Sequence, residues 1–131
     1  MHYVLFLGAV ISTFILGFLW YGPMMFHKVW CRENGVPEDF QAGHPAKVFG
    51  LSFIFASITA AAFAHMIGYS DDVLMSTVHG GAAGAAFAAC SFGVNYQFAG
   101  RSFKLLLIDG GYHTIQFALY GAIFSAFHEM V

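Results

Sequence analysis

Residues 73–98 read VLMSTVHGGAAGAAFAACSFGVNYQF, and after only the six residues AGRSFK comes LLLIDGGYHTIQFALYGAIFSAF, residues 105–127. Both stretches are apolar or small over most of their length. Both exceed the roughly 20 residues that a helix needs to cross the ~30 Å hydrocarbon core of a bilayer. Strands of this length are not credible, and lipid demands a backbone whose hydrogen bonds are satisfied internally. The pair therefore reads as a helical hairpin made for a membrane.

Two further runs lie upstream, Tyr3–Gly22 and Val48–Tyr69. The expected architecture is all-α: an integral membrane bundle of four transmembrane helices, spanning about 3–22, 48–69, 73–98 and 105–127. One domain, 1–131, uses the whole chain, and 23–47 is the main extramembrane loop. The chain has five Lys and Arg residues. Lys28, Arg32 and Lys47 fall in or beside the first loop, and Arg101 and Lys104 in the third. None falls in the second loop, Ser70–Asp72. The positive-inside rule then places loops one and three in the cytoplasm or its equivalent, with both termini on the non-cytoplasmic side. A bacterial inner membrane and an organelle membrane fit equally.

Composition agrees. The chain is 59% hydrophobic and 9% charged, against roughly 25% charged for a soluble domain. A net charge of −2 without a basic patch gives no reason to expect nucleic acid as a partner. The first run lacks a basic leader region, and Trp20-Tyr21-Gly22-Pro23 follows it in place of a cleavage site. It is expected to be retained, with an interfacial aromatic belt and a helix stop at Pro23. Cys31 and Cys90 lie too far apart for an expected disulfide: Cys31 reads as a free thiol in the loop and Cys90 as a small packing residue.

The first loop has two helical candidates. Phe26, Val29 and Trp30 share one helical face, as in a helix lying on the membrane surface or continuing the first span past a kink. Val36-Pro37-Glu38-Asp39 resembles a helix start, with Pro37 at the first position. The halves of the chain differ in helix length and polar positions, so an inverted repeat is not expected.

The third run is built for close packing. Gly80 and Gly84 form G-x-x-x-G, extended by Ala88. Gly81, Ala85, Ala89 and Gly93 form a second small stripe. Two stripes predict a central helix with neighbours on two sides, from this chain or another copy. The phenylalanines are expected to face lipid or fill the space opposite those glycines.

Polar residues inside the runs fall in two layers. The outer one holds His65 and His79, with His2, His128, Asp71, Asp72 and Glu129 near by. Imidazoles and carboxylates at one level are the donor types of a zinc, copper or nickel site, and His65 with His79 the type of a haem axial pair. Headgroup-level hydrogen bonding is the simpler expectation, so no cofactor is predicted beyond bound lipid. The inner layer starts at Asp109, about 6 Å into the last run, with His113 about 6 Å deeper on the same face. Tyr112, Gln116 and Tyr120 continue that face. Trp20 and Tyr21, and Asn95 and Gln97, end neighbouring runs at its level. A carboxyl there costs about 2.5–3.5 kcal/mol on insertion scales and needs a partner. Two roles fit: a proton or cation site, or an anchor bound to Arg101, Lys104, Lys47, Tyr21 or Trp20. With no second carboxylate, activated nucleophile or phosphate loop, no enzyme is predicted.

Leu19-Trp20-Tyr21-Gly22-Pro23 with Phe26, Lys28 and Trp30, together with Phe98–Leu105 leading into Ile108-Asp109-Gly110-Gly111-Tyr112-His113, resembles a family of small four-helix integral membrane proteins of unknown function. The resemblance implies a multi-span topology and brings no activity, cofactor or catalytic residue. Three function classes remain. The first is a structural or accessory subunit, in a homo-oligomer or a larger membrane complex within the lipid bilayer. The second is an oligomeric channel or carrier for protons, cations or a small molecule along the Asp109 seam. The third is a haem- or metal-binding membrane protein.

Overall fold

The computed structural model describes residues 3–128. Every regular element among them is helical: α1 Tyr3–Trp20, α2 His27–Asn34, α3 Pro45–Ile67, α4 Val73–Ala99 and α5 Phe103–Phe127. The ends follow local chemistry. Gly22 and Pro23 fall in the turn that closes α1. Pro45 opens α3 behind His44, whose Nδ1 accepts from the Ala46 amide at 3.1 Å. Asp72 and Ser102 cap α4 and α5 by accepting from Met75 and Leu105. Gly35 and Gly100 close α2 and α4 at φ 68° and 69°, a left-handed backbone that glycine adopts freely.

α1, α3 and α4 are long and apolar enough to cross a membrane. Their outward faces carry Phe18, Ile58, Leu74, Phe87 and Phe98, each more than half exposed. α5 matches them in length at 25 residues but is the polar helix and the most enclosed, with nine buried residues. α1 and α4 flank it, α3 packs on α1, and the last turn of α3 returns to α5. Leu5, Ala9, Val10, Ala56, Ala60, Phe63, Tyr120 and Phe124 form the core, in the half of the bundle nearer the termini.

The central helix is thus α5, and the expected central place of residues 73–98 is corrected. The two small stripes of α4 both lie mainly against α5, and only the Gly80 position also meets α3, with the Phe63 ring 3.1 Å from an added Cβ. A Cβ on Gly80 would lie 2.4 Å from the Phe117 carbonyl oxygen, and one on Gly84 2.7 Å from that of His113. Gly81 faces Ala118, and Gly93 faces Leu106. The contact is reciprocal, since a Cβ on Gly121 would lie 2.1 Å from the Ser76 oxygen. Adjacent stripes on a helix merge into one broad face when the partner runs nearly alongside. Two π turns, Phe63–Ile67 and Gly84–Ala89, widen α3 and α4 where each meets α5.

The first loop also departs from expectation. The Phe26, Val29 and Trp30 face does form a helix, but α2 folds back onto the start of α5. Trp30 meets Tyr21 edge-on at 6.3 Å, and Phe26 lies 4.9 Å from Trp20. Val36–Asp39 forms no helix, only a turn closed by the Phe40 amide on Pro37. Both cysteines are free thiols, as expected, but Cys31 is a buried residue of α2 and Cys90, expected as a packing residue, is exposed. Arg101 donates to Asn34 Oδ1 at 2.7 Å, joining the first and third loops at one end.

Replacing Gly121 by Ala is expected to destabilise the fold by about 1–3 kcal/mol, the usual cost of overpacking a tight contact. Gly8→Ala, with nothing within 4 Å of the new Cβ, is expected to be neutral or slightly stabilising. Thermal unfolding of both variants in detergent, followed by circular dichroism, checks the difference.

Candidate functional site

Asp109, Tyr112, His113, Gln116 and Tyr120 recur at helical spacing along α5, so one side of that helix carries nearly all the bundle's internal polarity. The structure divides this stripe into two hydrogen-bonded clusters.

The first cluster surrounds Asp109, which is 9% exposed. Tyr21, just past α1, donates its hydroxyl to Oδ1 at 2.6 Å, and Tyr96 of α4 donates to Oδ2. Trp20 Nε1 donates to the Ile108 carbonyl at 2.9 Å. The paired glycines make this possible. A Cβ on Gly111 would lie 3.1 Å from the Trp20 ring, and one on Gly110 3.0 Å from Ala89 Cβ. Of the expected partners of Asp109, Tyr21 is therefore found. The basic candidates are not: no ion pair to Asp109 forms among the described residues, and Arg101 turns to Asn34 instead.

The second cluster lies one to three turns further along. His113 Nδ1 donates to Gln116 Oε1 at 2.6 Å. The Gln116 amide nitrogen donates to Tyr120 Oη at 3.0 Å and to Thr13 Oγ1 at 3.3 Å. The Thr13 and Tyr120 hydroxyls are 2.5 Å apart. Tyr112 donates to the Thr13 carbonyl at 2.8 Å. Phe92 stacks on His113 with centroids 5.2 Å apart and planes 13° from parallel. Among the described residues no hydrogen bond joins the two clusters. Their nearest link is the Tyr21–Tyr112 ring contact at 5.3 Å.

Beside the second cluster a crevice of about 400 Å³ opens, lined by Thr13, Ser52, Phe55, Phe92, His113 and Gln116 among others. It exists because α3 and α4 stand apart along most of their lengths and meet the rest of the bundle through α1 and α5.

The expected inner layer is brought together except for Asn95 and Gln97, both exposed on α4, Asn95 beside Phe87, Ser91 and Phe92. Tyr96, one residue and 100° around the helix, takes the place expected for it. Tyr96 and Thr13 are the two members that sequence reasoning missed. Tyr96 had a findable signal: the last turn of α4 must face the first turns of α5 across the Gly100–Ser102 connection. Thr13 is half of the only hydroxyl pair, Ser12-Thr13, inside the first apolar run.

Among the described residues the outer layer does not gather into one site. His65 and His79 are both exposed, and no three of His, Cys, Asp and Glu gather as a metal-holding group among the described residues. His128 Nε2 lies 2.9 Å from Asp71 Oδ1, and its Nδ1 lies 2.6 Å from the Ser125 carbonyl. Ser125 donates to the Ser70 carbonyl at 2.6 Å, so the α3–α4 turn is tied to the end of α5. Asp72 is used as a helix cap. His2 and Glu129 lie outside the described residues.

An all-α chain, three of whose helices can cross a membrane, organised around a polar helix with no recognisable catalytic constellation, defines a class of small helical membrane-type protein. Within that class, the family described as "Protein of unknown function (DUF1761)" matches residues 4–125, and the chain belongs to it. No curated protein and no solved structure matches the chain.

Tyr96→Phe and Tyr21→Phe each leave one Asp109 oxygen without its donor. Each is expected to cost about 1 kcal/mol, and the double variant more than the sum, because a buried carboxyl without donors bears the full desolvation penalty. Unfolding midpoints of the three variants in one detergent provide the check.

Proposed function

We propose that this chain is a four-span integral membrane protein that serves as a structural or accessory subunit, in a homo-oligomer or a larger membrane complex. α5 is the fourth span, sheltered from lipid by α1 and α4. Loops one and three face the cytoplasm or its equivalent, and both termini face the other side. The single domain is the four-helix unit itself.

One observation carries the functional reading: Asp109 and Gln116, the two most polar side chains buried on α5, are spent on partners inside the chain. Both Asp109 oxygens accept tyrosine hydroxyls, and Gln116 bonds on both sides of its amide. That is how a helix clamp is built. It ties α1, α4 and α5 at the end that carries the basic loops. A proton or cation relay needs a chain of groups from one surface inward, and here hydrogen bonding stops between Asp109 and the Thr13–Gln116–Tyr120 cluster. The channel or carrier reading therefore ranks second. Haem or metal binding ranks below it, since His65 and His79 both sit on exposed positions.

A clamp without reactive groups leaves the broad apolar faces of α3 and α4 as the parts that meet other molecules. Exposed apolar area of that extent faces lipid or a neighbouring subunit. The Gly80–Gly84 stripe is already used inside the chain, so assembly runs through those faces and not through a glycine dimer motif.

Native mass spectrometry of protein released from mild detergent and from nanodiscs is expected to give a defined oligomer or a complex with other subunits. A monomer from both media overturns the subunit reading. Single cysteines placed at Glu38 and at Asp71, in a chain with Cys31 and Cys90 replaced, are expected to label from opposite sides of sealed vesicles, Glu38 from the cytoplasmic side. Labelling of both from one side overturns the four-span topology.

A further inference from the structure

The crevice beside His113 holds an acceptor that the chain leaves unused. An amide oxygen can only accept, so His113 Nδ1 carries the proton that reaches Gln116 Oε1 at 2.6 Å. In the neutral ring Nε2 then keeps its lone pair. Gln116 is held in that orientation by its nitrogen, which donates to Thr13 and Tyr120. No hydrogen bond to Nε2 forms among the described residues, and His113 lines the open crevice. Phe92 stacks on one face of the imidazole and fixes its plane.

The rest of the crevice is mostly apolar. Phe55, Ala56, Ala88 and Phe117 form much of its wall. Its volume of about 400 Å³ falls in the range of small-molecule sites, about 300–1,000 Å³. Ser52 and Thr59 add hydroxyls on the α3 side of the wall. An acyl chain fills apolar space but brings no donor to Nε2. A flat ring with one hydroxyl matches both the aromatic wall and the free Nε2 acceptor beside it.

We infer that this crevice binds a small lipid-soluble aromatic alcohol, whose hydroxyl donates to His113 Nε2 while its ring packs on Phe55, Phe92 and Phe117. The inference rests on the membrane placement proposed above, because the crevice reaches its ligand sideways from the bilayer. It does not depend on the subunit role.

The test uses the full chain in nanodiscs, with 1-naphthol as probe and empty nanodiscs as the partition reference in equilibrium dialysis. Saturable 1:1 binding above the reference is expected. 1-Methoxynaphthalene, which has the ring but no donor, is expected to bind about tenfold more weakly, the factor that corresponds to one lost hydrogen bond. His113→Phe is expected to reduce naphthol binding by a similar factor. Ser52→Phe fills the crevice from α3 without touching the clamp, and is expected to abolish binding with the helical content and melting temperature kept. Equal binding of the two probes overturns the inference in favour of a non-specific acyl-chain groove. Unchanged binding in folded Ser52→Phe, or no saturable binding at all, also overturns it. Retention of the protein in vesicles after an alkaline wash reads the membrane placement separately.

Discussion

A carboxyl group in an apolar chain must find its donors inside that chain, and Asp109 sets most of what surrounds it. Its oxygens draw Tyr21 from beyond α1 and Tyr96 from the last turns of α4. Those tyrosines reach it only because small residues let the helices close up. Gly111 admits the Trp20 ring, and Gly110 admits Ala89. The acid and the two glycines after it thus act as one unit. Hydroxyl donors satisfy the oxygens of Asp109 without bringing a second charge, which avoids desolvating a cation as well. The basic residues near by stay with the loops, where Arg101 joins the two loop ends through Asn34.

α5 presents different chemistry to its two neighbours. Toward α1 it offers side chains: Tyr112, Gln116 and Tyr120 all engage Thr13. Toward α4 it offers mainly backbone, with the carbonyls of His113 and Phe117 facing Gly84 and Gly80, and one polar side chain, Asp109, to Tyr96. The first contact is directional and specifies register. The second is close and depends on shape, the kind of packing that holds helices where no hydrophobic drive operates between them. A shift of α4 by one residue would carry Gly80 and Gly84 off their carbonyls and Tyr96 off Asp109 together. Register at the α4–α5 contact is therefore fixed twice, by volume and by hydrogen bonding.

Helix positions were legible from length and punctuation. Gly22-Pro23 closes α1, Gly100 closes α4, and the runs 48–69, 73–98 and 105–127 match their helices to within three residues at each end. These are local features, and local sequence encodes them. Which helix sits at the centre is not local. The third run has the small stripes and the last run the polar stripe, and both are features of an inner helix. The two combine in one arrangement: α4 gives its glycines to the α5 backbone, while the polar groups of α5 reach α1 and, through Asp109, Tyr96 of α4. Asn95 and Tyr96 show the limit most sharply. Neighbours in sequence at the same depth differ by 100° about the axis, and only the partner's position says which one points inward. The burial of Cys31 and the exposure of Cys90 have a related cause, since α2 packs its Cys31 face against the bundle and nothing in its own eight residues requires that.

The opening between α3 and α4 follows from the same balance of forces. In water, apolar walls such as Phe55, Phe92 and Phe117 would favour closure by removing area from solvent. In the proposed bilayer setting that drive is absent, because lipid is as apolar as the walls. Closure would then need shape or hydrogen bonds, and α3 offers little of either toward α4. A Cβ added at its glycine, Gly50, would meet nothing within 4 Å, and Thr59 spends its hydroxyl on the Phe55 carbonyl of its own helix. α3 is instead held by α1 and α5. Phe63 is enclosed by Phe117, Tyr120 and Phe124 of α5, Ala56 and Ala60 pack in the core, and Phe49 and Phe53 meet Phe14 of α1. A helix fixed on those two neighbours and not on α4 leaves a lateral gap toward α4, with His113 on its wall.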